Sequence, residues 1–358
     1  MRRHVTAGLA GIAAALLAAG VAATPASGAP QPKPASGKVT EPSLAGRPDN
    51  LPNPLAEAQT EAKKEAIAGL LSGKLKTEKR HGSEVIRLQN KRFVEYRQPA
   101  KEDPVLSILV EFGDQIDPAT GGTPGPVHNQ IPARDRKWDG SPTDDNSTIW
   151  TSDFNRAYYM ELMYSKKKPS MRDFYLKQSG GRYTVGGDVS DWVKVPYNVS
   201  RYGSNNLSDA EVYWPFVRDT AQAWYEAQVK AGKTKAQIQA YLKKFDVWDR
   251  YDHDGDGNFN EPDGYIDHFQ AIHAGEGEEA GGGAQGADQI WSHRWYAYSN
   301  GVGSQGPEGN LLGGVPIGDS GIWIGDYTTE PENGGLGVFA HEYAHDLGLP
   351  DLYDTQAG

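Results

Sequence analysis

The chain has 358 residues, 36 Lys plus Arg against 47 Asp plus Glu, a formal net charge of −11 and no cysteine. That length supports one large domain or two ordinary ones with real cores. The absence of cysteine excludes disulfides and thiol-based sites, and the acidic excess argues against a nucleic-acid partner.

Arg2, Arg3 and His4 precede an apolar run from Val5 to Ala23, and Ser27, Gly28 and Ala29 offer small residues for cleavage. This is the pattern of a secretory signal peptide over residues 1–29. A membrane anchor is the alternative, but the run is Ala-rich and ends in Thr-Pro instead of a basic stop-transfer cluster. No later stretch is suited to span a bilayer, so a secreted, extracellular protein without a membrane anchor is expected. Residues 30–54 are rich in Pro, Ala, Gly and Ser and read as flexible linker. Leu55 to Leu75 carries Leu55, Ala58, Ala62, Ala66 and Leu70 at near-helical spacing. From Pro30 to Ala100 there are thirteen Lys plus Arg against eight Asp plus Glu. Residues 30–100 thus form a net basic leader, expected to fold over an acidic domain spanning 101–358. An ordinary N-terminal arm without inhibitory role is the alternative. Without cysteine, the leader has no thiolate to offer a metal.

The compact domain is expected to begin near Pro104. Val105 to Phe112 is a near-continuous apolar run, suited to a strand buried on both faces. Asp114 to Asn146 reads as loop. Thr151 to Tyr164 and Ser170 to Lys177 read as helices, the second with Ser170 and Asp173 spaced as a capping box. Arg182–Val185 and Trp192–Val195 alternate as strands, and Gly186-Gly187-Asp188 reads as a turn joining them. Val212 to Lys230 and Lys235 to Phe245 are further helices, with Pro215 in the opening turn of the first. Tyr265–His273, Gln289–Trp295 and Ile322–Tyr327 complete a set of short strands. This mixture predicts an α/β (α+β) domain with a sheet over the last helix.

Between Asp246 and Asp288 lie twelve carboxylates and one base, Arg250. Within that block, Asp252, Asp254 and Asp256 stand at positions one, three and five of a twelve-residue calcium loop. Gly257 stands at six, Asn258 at seven, where a backbone carbonyl would serve, and Asp263 at twelve. Hard oxygens at alternate positions with glycines for the sharp turns are what Ca²⁺ requires. Asp263 replaces the usual Glu and follows Pro262, which predicts a weak structural site. The Gly-rich Ala280–Ala287 has no Lys-Ser/Thr after it, so a nucleotide site is rejected. His268, His273 and His293 read as structural histidines. Trp291, Trp295, Tyr296 and Tyr298 read as core, or else as the lining of a groove.

The most specific signal is Gly334 to Asp354, GGLGVFAHEYAHDLGLPDLYD. His341 and His345 stand four apart, which puts both imidazoles on one helical face. Leu336, Phe339, Ala340, Tyr343 and Leu347 recur on the opposite face, so burying them aims the imidazoles outward. Gly348 suits a left-handed helix end, and Pro350 prevents resumption. The resulting turn would bring Asp351 back past the two histidines. Zinc takes three such protein ligands and an open position for water, and Glu342 is then placed as general base.

Four segments in this order, YDHDGDGNFNEPDGYIDHF, HAGEGEEAGGG, IWSHRW and GVFAHEYAHDLGLPDLYD, resemble the immune inhibitor A family of secreted metallopeptidases, peptidase family M6. The resemblance implies a metzincin-like catalytic fold and a cleaved N-terminal propeptide. It implies zinc at His341, His345 and Asp351, Glu342 as general base, and Ca²⁺ for stability. It also implies endopeptidase activity on extracellular protein substrates. One departure stands out: metzincins place a Met-containing turn after the third ligand, whereas the methionines here are Met1, Met160, Met163 and Met171. The expectation is therefore a C-terminally incomplete catalytic domain.

The expected function is that of a secreted zinc endopeptidase made as a zymogen, with Tyr353 as a second donor to the oxyanion. A rival of another class is a catalytically inactive, calcium-stabilised extracellular binding module. A third reading takes a more distant Glu as the third zinc ligand, as in thermolysin-type enzymes.

Overall fold

The structure, a computed structural model, describes residues 47–98 and 101–351. Residues 1–29, expected to be a signal peptide, and Tyr353 lie outside the described residues, all of which fall within one unit, Glu41–Gly358. In chain order, α1 (Pro54–Leu71) precedes β1 (Thr77–Arg80), β2 (Ser83–Arg87), β3 (Phe93–Arg97) and β4 (Lys101–Glu111). Then come α2 (Arg156–Tyr164), α3 (Met171–Gln178), β5 (Tyr183–Val189), β6 (Val193–Lys194), α4 (Ser200–Gly203), α5 (Asp209–Lys230) and α6 (Lys235–Leu242). The remainder is β7 (Phe269–His273), β8 (His293–Tyr296), β9 (Val315–Pro316), β10 (Trp323–Ile324), β11 (Asp326–Pro331) and α7 (Gly335–Asp346).

The main sheet runs β5-β4-β7-β11-β8, with β6 also paired to β4. Its pairings are parallel, apart from the antiparallel edge strand β8 on β11. A parallel sheet needs cover on both faces, and the side-chain alternation of β4 supplies apolar groups to each. Leu106, Ile108 and Val110 join Val212, Phe216 and Val217 of α5 and Ile238 of α6 in one core. Val105 and Leu109 join Met163, Met171, Tyr175 and, from α7, Phe339, Ala340 and Tyr343 in the other. Each fully buried Val, Leu, Ile, Phe or Met side chain among them contributes about 1.5–3 kcal/mol. The fold is thus mixed α/β, with α7 held under the sheet as the sequence pattern predicts.

Three sequence expectations change. The Gly-Gly-Asp segment is no turn: β5 runs straight through it, and both β5 and β6 pair parallel with β4. A Cβ on Gly187 would stand 2.1 Å from the Val105 carbonyl oxygen, so glycine here permits close strand approach. Pro215 sits in the second turn of α5, because the helix starts at Asp209 with Ser208 and Glu211 as a capping box. The missing N–H of Pro215 leaves the Glu211 carbonyl free, and Arg201 Nη1 donates to it at 2.7 Å. The expected strand Tyr265–His273 is regular only from Phe269 onward.

Residues 77–97 form a separate antiparallel sheet, β1-β2-β3. Ala62 and Ala66 of α1 pack on Ile86, Leu88 and Val94 across it. Val85 and Phe93 meet Phe259 of the acidic loop, and Arg80 Nη1 donates to the Asp256 carbonyl at 2.9 Å. Residues 77–97 thus touch the acidic loop through apolar packing and one contact to a carbonyl.

Candidate metal centre

The end of α7 shapes the site. Gly348 adopts a left-handed φ of 87°. Leu349 N–H donates to the Ala344 carbonyl at 3.0 Å and Gly348 N–H to the His345 carbonyl at 2.9 Å, the pattern of a Schellman cap. This turn does more than stop the helix. Its Leu349 carbonyl accepts from His345 Nδ1 at 2.8 Å, which fixes the tautomer and leaves the Nε2 lone pair facing the site. His345 Nε2 then lies 3.1 Å from His341 Nε2. Asp351, returned by the same turn, places Oδ1 3.4 Å from His345 Nε2 and 3.7 Å from His341 Nε2.

A fourth group completes the cluster, and sequence reasoning missed it. Asp49 Oδ2 lies 3.0 Å from His341 Nε2, and Oδ1 lies 3.3 Å from His345 Nε2. One ligand atom from each of Asp49, His341, His345 and Asp351 falls within 4.8 Å of every other. Burial pushes the Asp49 carboxyl up, but hydrogen bonds with His341 and His345 hold it well below the usual carboxylate range. Burial lowers His345, yet Asp49 and the Leu349 carbonyl bring it above its ordinary value.

Residues 47–53, which composition reads as linker, lie along the free edge of β8. Arg294 N–H donates to the Asp49 carbonyl at 2.6 Å, and Leu51 N–H to the Arg294 carbonyl at 2.9 Å. Trp295 Nε1 donates to the Pro52 carbonyl at 2.9 Å, and Asn53 caps α1 through its side chain. Parallel β-addition of this kind delivers Asp49 to the two imidazoles.

Glu342, on the turn of α7 between the histidines, is buried, and its Oε2 has no hydrogen-bond partner. Burial, then the charges of Asp49, Glu330, Glu279 and Asp351, push its carboxyl well above the ordinary value. Asp351 Oδ1 is likewise buried without a hydrogen bond. Two such orphaned acceptors cost several kcal/mol if left alone, and a divalent cation at the centre of the cluster would satisfy one and offset the charge around the other. The donor set therefore fits a metal.

Behind the ligands, Asp346 turns away from them into a buried charge network. Arg250 Nη1 donates to the Asp346 carbonyl at 2.8 Å and Nη2 to its Oδ2 at 3.1 Å, while His268 Nδ1 bonds the same carboxylate. Burial pushes Asp346 up, but Arg250 and His268 hold it well below the usual range. Arg250 thereby ties the end of the metal helix to the start of the acidic loop. His273 and His293 are buried elsewhere: His273 Nδ1 faces the Ala274 carbonyl, and His293 bridges the Trp291 carbonyl and the Tyr327 hydroxyl.

In the acidic loop two groups of ligand atoms converge, Asp252 with Asp254 and Asp256, and Asp249 with Asp254 and Glu261. Asp249 and Glu261 were not foreseen. Asn258 donates through its side chain to Glu261, and the Asp263 carboxylate, which accepts from Tyr265 N–H at 2.9 Å, lies outside those two carboxylate groups. Burial raises the pKa of Asp252 and Glu261, and neighbouring carboxylates add to the effect.

A helix presenting two imidazoles, a carboxylate returned by its capping turn and a buried glutamate between them, all under an α/β sheet, defines a metallopeptidase-type centre. The chain belongs to the immune inhibitor A family of M6 peptidases: residues 91–358 match the family described as "Immune inhibitor A peptidase M6, catalytic domain". It is 37% identical over 270 residues to "Immune inhibitor A" of Bacillus thuringiensis subsp. alesti, covering 73% of this chain and 34% of that protein. It is 34% identical over 266 residues to "Pre-pro-metalloprotease PrtV" of Vibrio cholerae serotype O1 (strain M66-2), covering 72% of this chain and 25% of that one. The chain thus spans about a third or less of the length of these relatives.

Proposed function

We propose that the protein is a secreted zinc endopeptidase, made as a zymogen, that hydrolyses peptide bonds of extracellular proteins. The observation that carries this reading is the convergence of His341, His345 and Asp351 on one point beside Glu342, with Asp49 of the leader occupying the remaining side. Nitrogen and carboxylate donors without sulfur suit zinc in a site that keeps one position for water. When bound there, Zn²⁺ supplies Lewis acidity to water and to the scissile carbonyl. Glu342 takes a proton from the attacking water and passes it to the leaving amine. Its burial raises its proton affinity, which suits a group that accepts a proton from water. We assign the second oxyanion donor to Tyr353.

In the resting chain Asp49 stands where substrate and water need to be, so the leader must withdraw before turnover. This supports the zymogen reading, and the relative PrtV carries "pre-pro" in its name. Secretion rests on the pattern of residues 1–29. Among the described residues no helix is long and apolar enough to cross a membrane. We further propose that Asp252, Asp254, Asp256, the Asn258 carbonyl and Asp263, with Asp249 and Glu261 nearby, hold Ca²⁺ in a structural role.

The test is casein hydrolysis by the processed full-length protein, wild type beside Glu342→Gln, with metal content measured on both. Equal zinc and at least a thousandfold loss of kcat in the variant is the expected result. Undiminished hydrolysis would place the general base elsewhere, and calcium without zinc in the wild type would favour the binding module.

A further inference from the structure

Two residues before Asp49, Arg47 is held in a pocket built by the catalytic domain. Its Nη1 donates to Glu278 Oε2 at 2.7 Å and to Asn205 Oδ1 at 2.8 Å. Nη2 donates to Asp209 Oδ1 at 3.1 Å and to the Tyr213 hydroxyl. The guanidinium carbon lies 5.7 Å from the Tyr213 ring centre and 5.6 Å from that of Trp291, so two aromatic rings flank the cation. Asn205, Glu278 and the Tyr213 ring have contacts of their own besides Arg47. Asn205 Nδ2 donates to Glu278 Oε1 at 2.6 Å and to the Ala287 carbonyl at 3.2 Å, and Tyr213 is buried against His293 at 4.1 Å between ring centres. Burial pushes the Glu278 carboxyl up, and Arg47 is among the groups that counter it. Withdrawal of the leader would therefore leave a preformed, half-buried anionic pocket flanked by aromatic rings, beside the open edge of β8.

We infer that this pocket, between Tyr213 and Trp291 with Glu278 and Asp209 at its polar end, is a guanidinium subsite of the mature cleft, selecting an arginine side chain from an extended peptide substrate. The spacing supports this. Arg47 and Asp49 are two residues apart along an extended segment, roughly 7 Å, so a peptide lying on β8 with one residue at the metal reaches the pocket with its neighbour but one. Five donors in a planar fork match two carboxylate acceptors, an amide oxygen and a phenol better than a lysine ammonium does. The inference rests on the peptidase reading above, and its test separates the two.

The processed full-length enzyme is assayed on quenched-fluorescent alanine peptides carrying Arg, Lys, citrulline or Glu at each position within three residues of the cleaved bond, with casein in parallel. Arg at one position is expected to raise kcat/KM by about 10–100-fold over Ala, with the isosteric but uncharged citrulline losing most of that gain. In Glu278→Gln/Asp209→Asn the Arg-to-Ala ratio should fall to near one. Casein hydrolysis with no Arg preference at any position, or a ratio that survives the double substitution, would overturn the subsite while leaving the peptidase reading intact. A second measurement needs no variant: calorimetric binding of a peptide of residues 43–53 to the processed protein. Replacing Arg47 by citrulline should weaken it at least tenfold, and unchanged affinity would refute the pocket even if no substrate were cleaved.

Discussion

Replacing Asp49 with alanine should make the uncut protein active. The carboxylate makes two close contacts to imidazole nitrogens, at 3.0 and 3.3 Å, in a half-enclosed site. Hydrogen bonds to charged groups contribute about 1.5–3 kcal/mol each, so the substitution weakens the hold on this segment by about 4 kcal/mol. That raises the population with the segment lifted by roughly three orders of magnitude. The segment keeps its bonds to Arg294 and the Arg47 contacts, so release remains partial, and Arg47→Ala/Asp49→Ala should go further. The assay is the initial rate on quenched-fluorescent casein, with gels confirming that the leader is uncut throughout. At least tenfold more activity than uncut wild type is expected, and Asp49→Ala/Glu342→Gln should be silent. Uncut Asp49→Ala that binds zinc yet stays as inactive as wild type would refute the assignment of Asp49 to latency.

Four other outcomes follow from the same structure. Arg250→Met leaves Asp346 buried without its guanidinium partner and should cost about 3–5 kcal/mol in urea unfolding, part of it recovered in Arg250→Met/Asp346→Leu; a loss under 1 kcal/mol would remove Arg250 from this role. Gly187→Val forces a side chain against the Val105 carbonyl and should destabilise by about 2–3 kcal/mol, whereas a true turn position would lose far less. Burial lowers His273 to about 4, so between there and the ordinary 6.5 the unfolded chain binds more protons and stability falls as pH falls. Burial lifts Asp267 and Glu330 to about 8, which gives the opposite slope, so the comparison is between variants: His273→Phe should reduce the slope of unfolding free energy between pH 5 and 6.5 by about 1 kcal/mol per pH unit, and an unchanged slope would count against a neutral buried His273. Finally, calcium chelation with zinc retained should lower the melting temperature by several degrees; no shift would remove Ca²⁺ from the acidic loop.

The metal helix was legible because its information is local. The four-residue spacing of His341 and His345, the apolar stripe through Phe339 and Tyr343, and Gly348 all act within one segment, and the helix and its cap follow from them. The long strand was legible for a related reason, since only a sheet covered on both faces tolerates Val105 to Phe112. Gly186 and Gly187 misled because glycine reports conformational freedom, while here it answers a contact with β4 fixed by tertiary packing. Asp49 gave no local signal at all. It lies 292 residues from His341, in a segment whose composition suggests linker, and only its pairing with β8 reveals what it approaches. The Arg250–Asp346 clamp was hidden likewise, by a separation of 96 residues.

Because the Asp49 carboxylate is part of the same chain as the imidazoles it meets, its hold on the site is set by a local concentration in the millimolar range or above, whatever the amount of protein present. On the proposed zymogen reading, latency of this kind would not weaken as the protein dilutes into its surroundings. On that reading, a single cut between the leader and β4 would turn the same contact into one between two molecules, whose occupancy then falls with dilution. The wiring of the chain would then let dilution itself favour the active form after the cut.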